Sequence, residues 1–357
     1  MAEQRSSLPR IAVIAGDGIG PDVTEQALRV ADRALYREGP ACQWNQLPWG
    51  SAYYKETGRI MPEDGWEILR GHDAIFMGAV GRPDVPDSVT MHGFLLPMRR
   101  KFELYVNIRP AYLFEGVQSP LRDKAPGSID MLVFRENTEG EYAPVGGRLY
   151  AGLSEEVAVQ TAIFTRRGCA RIQRAAFEAA RRRKKKITSI TKSNAQAFGM
   201  GLWDEVFHET ARQYPDVEAR SLLVDAAAMD FVRKPESFDV VVASNLFGDI
   251  LTDLSAIVTG SVGLAASANI NPEGAYPSMF EPVHGSAPDI AGKGIANPLA
   301  SILSVKMLLD HLGQQKAAAA IQGAVATVLK EGKVRTPDLG GKASTAEMGE
   351  AVLAKLG

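Results

Sequence analysis

The sequence predicts an α/β protein of two domains, and three observations carry that expectation. The chain has 357 residues and 45% hydrophobic content, enough for a large core and more than one hydrophobic unit usually takes. It opens as strand, glycine turn and helix. Residues 11–15 are apolar, GDGIGPDV follows, and Val23, Ala27, Val30, Ala31, Ala34 and Leu35 then recur at helical spacing. Further on, FDVVVASN (residues 238–245) is an unbroken apolar run of the kind a parallel sheet buries on both faces.

Each element follows in order. Gly16, Gly18 and Gly20 are spaced G-x-G-x-G with Pro21 next. No acidic residue closes a second strand about 20 positions on, as a dinucleotide fingerprint requires. The turn is therefore a tight turn, still able to line a site. Residues 74–77 form a second strand, ending in the Gly/Pro loop GAVGRPDVPD. Residues 95–110 concentrate Arg99, Arg100, Lys101 and Arg109. A strand over 131–134 runs into RENTEGEY, residues 135–142. The stretch to Leu153 and the alternation over 155–165 predict a hairpin or arm. An amphipathic helix over 168–183 ends in RRRKKK, residues 181–186. A helix C-terminus favours cations and a strand (187–190) follows at once, so this run is a solvated helix end and not a nucleic-acid patch. Lys192 stands at that strand's tip, a helix runs on to about Tyr214, and residues 221–232 set Asp225 among apolar neighbours. Residues 245–248 turn the chain. A helix from Asp249 then carries an apolar stripe of Ile250, Leu251, Leu254, Ile257 and Val258. SVGLAASANIN is rich in small residues and predicts a flexible segment. Residues 279–298, dense in Gly and Pro, predict a long ordered loop of the kind that is usually functional. Helices over 299–312, 317–329 and 345–356 complete the chain.

Composition excludes several classes. Lys+Arg 40 against Asp+Glu 42 leaves a net charge of −2, so no global field draws the protein to nucleic acid or an anionic membrane. The two cysteines, Cys42 and Cys169, are far apart and lack metal-ligand spacing, which fits a reducing compartment. The apolar run before Gly16 is too short for a secretory segment, and no later run is long enough to span a bilayer. The expected location is the cytoplasm.

The chemistry-bearing residues are scattered along the chain. Asp249 and Asp253, four apart on a helix that starts beyond a strand end, share a face and make half a hard-cation site. The bland alternative is a solvated helix start, where the dipole favours Asp anyway. Asp225 is a third candidate carboxylate. Arg99, Arg109 and Arg135 lie outside the basic run near strand ends, and arginine suits bidentate carboxylate binding; any one alone is more often a surface ion pair. Lys192 is a candidate base if burial or nearby cations lower its pKa, and Tyr142 can donate a proton. Arginines together with a divalent metal imply a small polyanionic substrate, most simply a dicarboxylic acid.

Taken in order, GDGIGP, the arginine segment 98–110, RENTEGEY, TKSN, NLFGDILTDL and EPVHGSAPDIAGKGIANP resemble the β-decarboxylating dehydrogenases. That family comprises isopropylmalate, isocitrate, homoisocitrate and tartrate/D-malate dehydrogenases. The resemblance covers essentially the whole chain, and RENTEGEY, FTRRG, TKSN and FDVVVASNLFGDIL look most like the tartrate/D-malate branch. It implies an isopropylmalate-dehydrogenase-like two-domain α/β fold, not a Rossmann fold, with the active site in the interdomain cleft. Residues 1–104 and 260–357 would form the cofactor-side domain, and 105–259 the domain with the dimer interface and arm. Arg99, Arg109 and Arg135 would clamp the carboxylates of a malate moiety. Asp249 and Asp253, with Asp225 from a partner subunit, would hold magnesium or manganese. Lys192, also from the partner, would assist loss of the hydroxyl proton, and Tyr142 would protonate the enolate carbon. The metal-bound hydroxyl carbon would yield hydride to NAD, and the β-keto acid would lose carbon dioxide.

The likeness further places His284, Gly285, Ser286, Ala287 and Asn297 around the adenosine. Asp289 would accept from the ribose hydroxyls, which favours NAD over NADP because a carboxylate there repels a 2′-phosphate. Leu95, with His92, Gly93 and Leu96, would meet the far end of the substrate. Isocitrate-type relatives carry Ser and Asn where Gly93 and Leu95 stand, which argues against isocitrate. Tartrate/D-malate relatives read WGSLL where this chain reads HGFLL, so His92 and Phe94 are departures. The implied substrate is D-malate or tartrate, with 3-isopropylmalate as the alternative and a non-catalytic regulatory subunit as the remaining one. A homodimer, or a dimer of dimers, is implied; a potassium requirement stays open.

Overall fold

A computed structural model describes residues 8–39 and 41–357. The reading of the N-terminus as no secretory segment falls partly on residues 1–7, outside the described residues. The chain divides into two units. The first takes the described residues up to Leu104, together with Tyr112–Ile129 and Ala256–Gly357; the second takes Tyr105–Ala111 and Asp130–Ser255. Residues 112–129, which the resemblance would assign to the second domain, thus pack in the first unit.

The strands are β1 (Arg10–Gly16), β2 (Gln43–Gln46), β3 (Ala74–Ala79), β4 (Val106–Tyr112), β5 (Asp130–Glu136), β6 (Gly146–Leu149), β7 (Val157–Gln160), β8 (Lys186–Thr191), β9 (Glu218–Leu223), β10 (Val240–Ala243), β11 (Ala266–Ile270) and β12 (Ser278–Pro282). In the first unit the order is β2-β1-β3-β12-β11, parallel except for the antiparallel β11–β12 pair. All six residues of β3 are buried, which is why its sequence shows no alternation. The helices Gly20–Glu38, Leu299–His311, Gln315–Glu331 and Thr345–Leu356 belong to this unit and pack on one another. In the second unit the order is β4-β5-β10-β8-β9, with β5, β10, β8 and β9 running parallel. Its helices Arg166–Arg181 and Gly199–Ala211 join Phe177, Phe207 and Trp203 in a buried layer.

Four sequence expectations are corrected. The segment SVGLAASANIN is not flexible: its small side chains form β11, buried and paired with β12. The long loop begins later than expected, because Ser278–Pro282 is a strand. Residues 245–248 are not a turn, since the helix runs Asn245–Val258 and includes them. Gly248 is there for closeness, not for a turn: a Cβ would fall 2.7 Å from the Arg135 side chain. On that helix only part of the apolar stripe is inside. Leu251 and Val258 are buried, whereas Ile250 and Ile257 are 57% and 51% exposed, on the face that also carries Asp253.

The hairpin is present as β6–β7, antiparallel, with every strand residue exposed. The basic run is charge-matched as well as solvated: Arg181 meets Asp216, Arg183 meets Asp130 and Asp239, and Lys186 meets Glu218. Among the described residues no helix is long and apolar enough to cross a membrane.

Candidate functional site

In the second unit the aspartate helix Asn245–Val258 leaves the end of β10, beside the end of β5. Parallel strands ending together bring Arg135, the RENTEGEY loop and the helix's first turns into one place. Asp249 Oδ1 accepts from Arg135 Nη1 and, at 3.2 Å, from Arg109 Nη1; Tyr142 donates to its Oδ2 at 2.9 Å. Arg109 also donates to Thr252 Oγ1 at 2.6 Å, and Arg135 Nε and Nη2 bond to Asn245 Oδ1 at 3.0 and 2.7 Å. Arg109 and Arg135 are 7% and 1% exposed, so both guanidiniums are held away from water at fixed angles. Burial first, and the Asp249 carboxylate second, raise the Tyr142 pKa, so the phenol keeps its proton at neutral pH.

Asp253 stands one turn on from Asp249, exposed, its pKa raised by desolvation against the pull of Arg109. Among the described residues no group of three acidic, His or Cys side chains converges on one point, so the chain alone presents two carboxylates of a possible cation site. Oxygen donors suit magnesium or manganese. Asp225 lies elsewhere in this unit, exposed and not embedded among apolar residues as its sequence context suggests. Its carboxylate takes the Lys192 ammonium at 2.7 Å, which lowers the Asp225 pKa.

In the first unit Arg99, 5% exposed, donates from Nη2 to Glu281 Oε1 at 3.0 Å, and Asn269 Nδ2 donates to the same oxygen at 2.9 Å. Its Nε is buried without a partner among the described residues. Residues Met91–Leu95 form a π-helical turn, a feature often found at functional sites. It leaves His92 and Gly93 exposed and Leu95 half-buried. Phe94 turns inward, fully buried with its ring centroid 6.3 Å from Trp66. That departure from the WGSLL pattern is absorbed by the core.

The GDGIGP turn supports the loop after β12. Asp17 accepts from Ser51 N, Ser51 Oγ and Gly81 N at 2.9, 2.6 and 2.8 Å. Ile19 N donates to Ser286 O at 2.9 Å, and a Cβ on Gly18 (φ +59°) would sit 2.0 Å from that carbonyl. Ala287 is held at φ +41°, unusual for a residue with a side chain. His284 Nδ1 lies 3.0 Å from Gly285 O, which can only accept, so Nδ1 carries the hydrogen. Burial lowers the His284 pKa, and its Nε2 is left as a buried acceptor with no partner among the described residues. An adenine amino group would satisfy it. Gly285 and Asp289 are exposed, open to a ligand. Asn297 differs: its Nδ2 donates to Asp338 at 2.9 Å and its Oδ1 accepts from Leu299 N at 3.0 Å, so that side chain is committed within the protein. Asp338, which also takes Ser261 Oγ at 2.5 Å, escaped the sequence reading because TPDLGG looks like an ordinary turn.

A family model described as "Isocitrate/isopropylmalate dehydrogenase" matches residues 10–352. A "Probable tartrate dehydrogenase/decarboxylase" of Bacillus subtilis (strain 168) is 48% identical over 348 residues, covering 97% of each chain. The "D-malate dehydrogenase [decarboxylating]" of Escherichia coli (strain K12) is 50% identical over 351 residues, 96% of this chain and 97% of that one. The "3-isopropylmalate dehydrogenase" of Thermobifida fusca (strain YX) is 50% identical over 344 residues, 96% of each. A solved isocitrate dehydrogenase from Methylococcus capsulatus superposes with a TM-score of 0.88 at 38% identity, over 98% of this chain and 99% of that one.

Proposed function

Because this chain belongs to the isocitrate/isopropylmalate dehydrogenase family, and is thus an enzyme of the decarboxylating dehydrogenase class with that family's fold, we propose that it oxidises D-malate or tartrate with NAD and a divalent metal. The observation that carries the reading is the Asp249 carboxylate, gripped at once by Arg109, Arg135 and Tyr142. A half-buried acid flanked by two buried arginines is a charge-balanced socket. A dicarboxylate can take over the guanidiniums while Asp249 turns to a cation, so no charge is left buried and unpaired.

In this reading Arg99, Arg109 and Arg135 bind and orient the substrate carboxylates, and Leu95 bounds its far end. Asp249 and Asp253, with Asp225 of a second copy, hold magnesium or manganese, which as a Lewis acid stabilises negative charge on the substrate oxygens. Lys192 of that copy assists loss of the C2 hydroxyl proton, and Tyr142 delivers a proton to the carbon that loses its carboxylate. His284, Gly285, Ser286, Ala287 and Asp289 hold the adenosine half of NAD, which accepts the hydride, while Asn297, its side chain tied to Asp338 and Leu299, takes part only through its backbone; the buried, unpartnered His284 Nε2 supports that fit. A homodimer is supported by the fully exposed hairpin β6–β7, since a lone two-stranded hairpin is marginal in water, and by exposed Met229, Val232, Ile250 and Ile257. Free buried thiols at Cys42 and Cys169 support a cytoplasmic setting.

The half-buried Leu95 and a relative named for 3-isopropylmalate favour a second reading, an alkyl-substituted malate. The test is NADH formation with manganese and D-malate, tartrate or 3-isopropylmalate in parallel. Preference for D-malate or tartrate is expected. Preference for 3-isopropylmalate selects the second reading, and no product from any of them points to a regulatory subunit.

A further inference from the structure

The helix that bears Asp249 and Asp253 has an N–H of its first turn bound by a carboxylate far away in sequence. Ser244, fully buried, is placed to cap it, yet its hydroxyl donates away from the helix, to Glu141 Oε1 at 2.7 Å. The other oxygen, Oε2, accepts the Leu246 backbone N–H at 3.0 Å. A carboxylate from a distant part of the chain thus satisfies an orphan N–H of the first turn and faces the positive end of the helix dipole. Two further bonds tie the same segments: Asn245 Nδ2 donates to Glu139 O at 3.0 Å, and Asn245 Oδ1 receives Arg135.

The consequence is a closed ring. Glu141 and Tyr142 are consecutive; Leu246 and Asp249 lie about one turn apart on the helix; Glu141 joins Leu246, and Tyr142 joins Asp249. We infer that Glu141 is a positioning residue, whose cap on Leu246 sets the height of Asp249 against the Tyr142 hydroxyl. Both its oxygens are engaged, so it acts through geometry and not by moving protons. The inference rests on the assignment of Asp249 as a metal ligand and Tyr142 as a proton donor.

The variants Glu141→Ala and Glu141→Gln test it. Glutamine can accept from Leu246 N through its carbonyl and donate to Ser244 Oγ through its amide, keeping both bonds while losing the charge. The expected result is a kcat lowered 10- to 100-fold in Glu141→Ala with KM for NAD unchanged within twofold, and a kcat within threefold of wild type in Glu141→Gln. Binding of Mn²⁺ alone, followed by its electron paramagnetic resonance signal, should weaken about tenfold in the alanine variant only. Should Glu141→Ala fail to fold, Glu141→Asp replaces it, since a side chain one methylene shorter cannot span the gap and the same losses are expected. Wild-type kcat and Mn²⁺ affinity in the alanine or aspartate variant would overturn the inference, as would a glutamine variant as impaired as alanine. If wild type turns over none of the hydroxy diacids, the functional reading fails while the Mn²⁺ comparison still decides this one.

Discussion

Tyr142 donates its phenolic hydrogen to Asp249 Oδ2 across 2.9 Å, with the Arg135 guanidinium 5.5 Å from the centre of its ring. The hydroxyl is therefore aimed by an acid and its proton is retained by burial, the two conditions a proton donor needs. Tyr142→Phe should slow decarboxylation about 100-fold while hydride transfer falls by much less. Single-turnover measurement of NADH against carbon dioxide separates the two, and equal slowing would remove Tyr142 from that role.

Replacing Asp249 by Asn keeps an acceptor for Arg135 and Arg109 but removes a charge a cation needs. Turnover should fall at least about 100-fold, and Mn²⁺ binding with it, while circular dichroism stays that of wild type. A variant of wild-type rate and metal dependence would refute the metal assignment.

The turn at Gly18 offers a structural test of the proposal that the loop after β12 holds NAD. A methyl group there would collide with the Ser286 carbonyl and meet an unfavourable φ. Gly18→Ala should raise KM for NAD about tenfold or more, since displacing a support by an ångström has costs of that order. Its KM for the hydroxy diacid should change little, as steady-state kinetics in each substrate would show.

Glu136 gives a pH dependence of stability. Wholly buried, it accepts from Thr138 N, Thr138 Oγ1 and Glu139 N, yet burial outweighs those donors and lifts its pKa from an ordinary 4.5 to about 7. The folded state therefore holds a proton that the unfolded state releases. The stability from this group is complete below 4.5 and is lost as pH rises toward 7, a change on the order of 3 kcal/mol. Urea midpoints between pH 4.5 and 8 should flatten in Glu136→Gln relative to wild type. An unchanged slope would mean the carboxyl titrates normally.

Much of this arrangement was legible from residue order. Asp249 and Asp253 at helical spacing past an apolar strand, the glycine turn before Pro21, and the alternation that became β6–β7 each follow from local rules. What was hidden depends on distant partners. β11 is built from small side chains without a strand signature, and only its pairing with β12 makes it a strand. Residues 245–248 looked like a turn because their cap, Glu141, lies a hundred positions upstream. Phe94 could not be seen to face Trp66, and periodicity alone could not say that Ile250 and Ile257 stay outside.

The pairing of β3 with β12 has a bearing on how the polypeptide comes together. Ala74 of β3 finds Ser278 as its neighbour, across the whole intervening sequence of the second unit. During synthesis the first unit must wait with an open strand edge until β12 emerges, while β5, β8, β9 and β10 already have one another. Ribosome-bound chains halted before Ser278 should therefore present a protease-resistant middle and a cleavable beginning, so that the loop after β12 matures last.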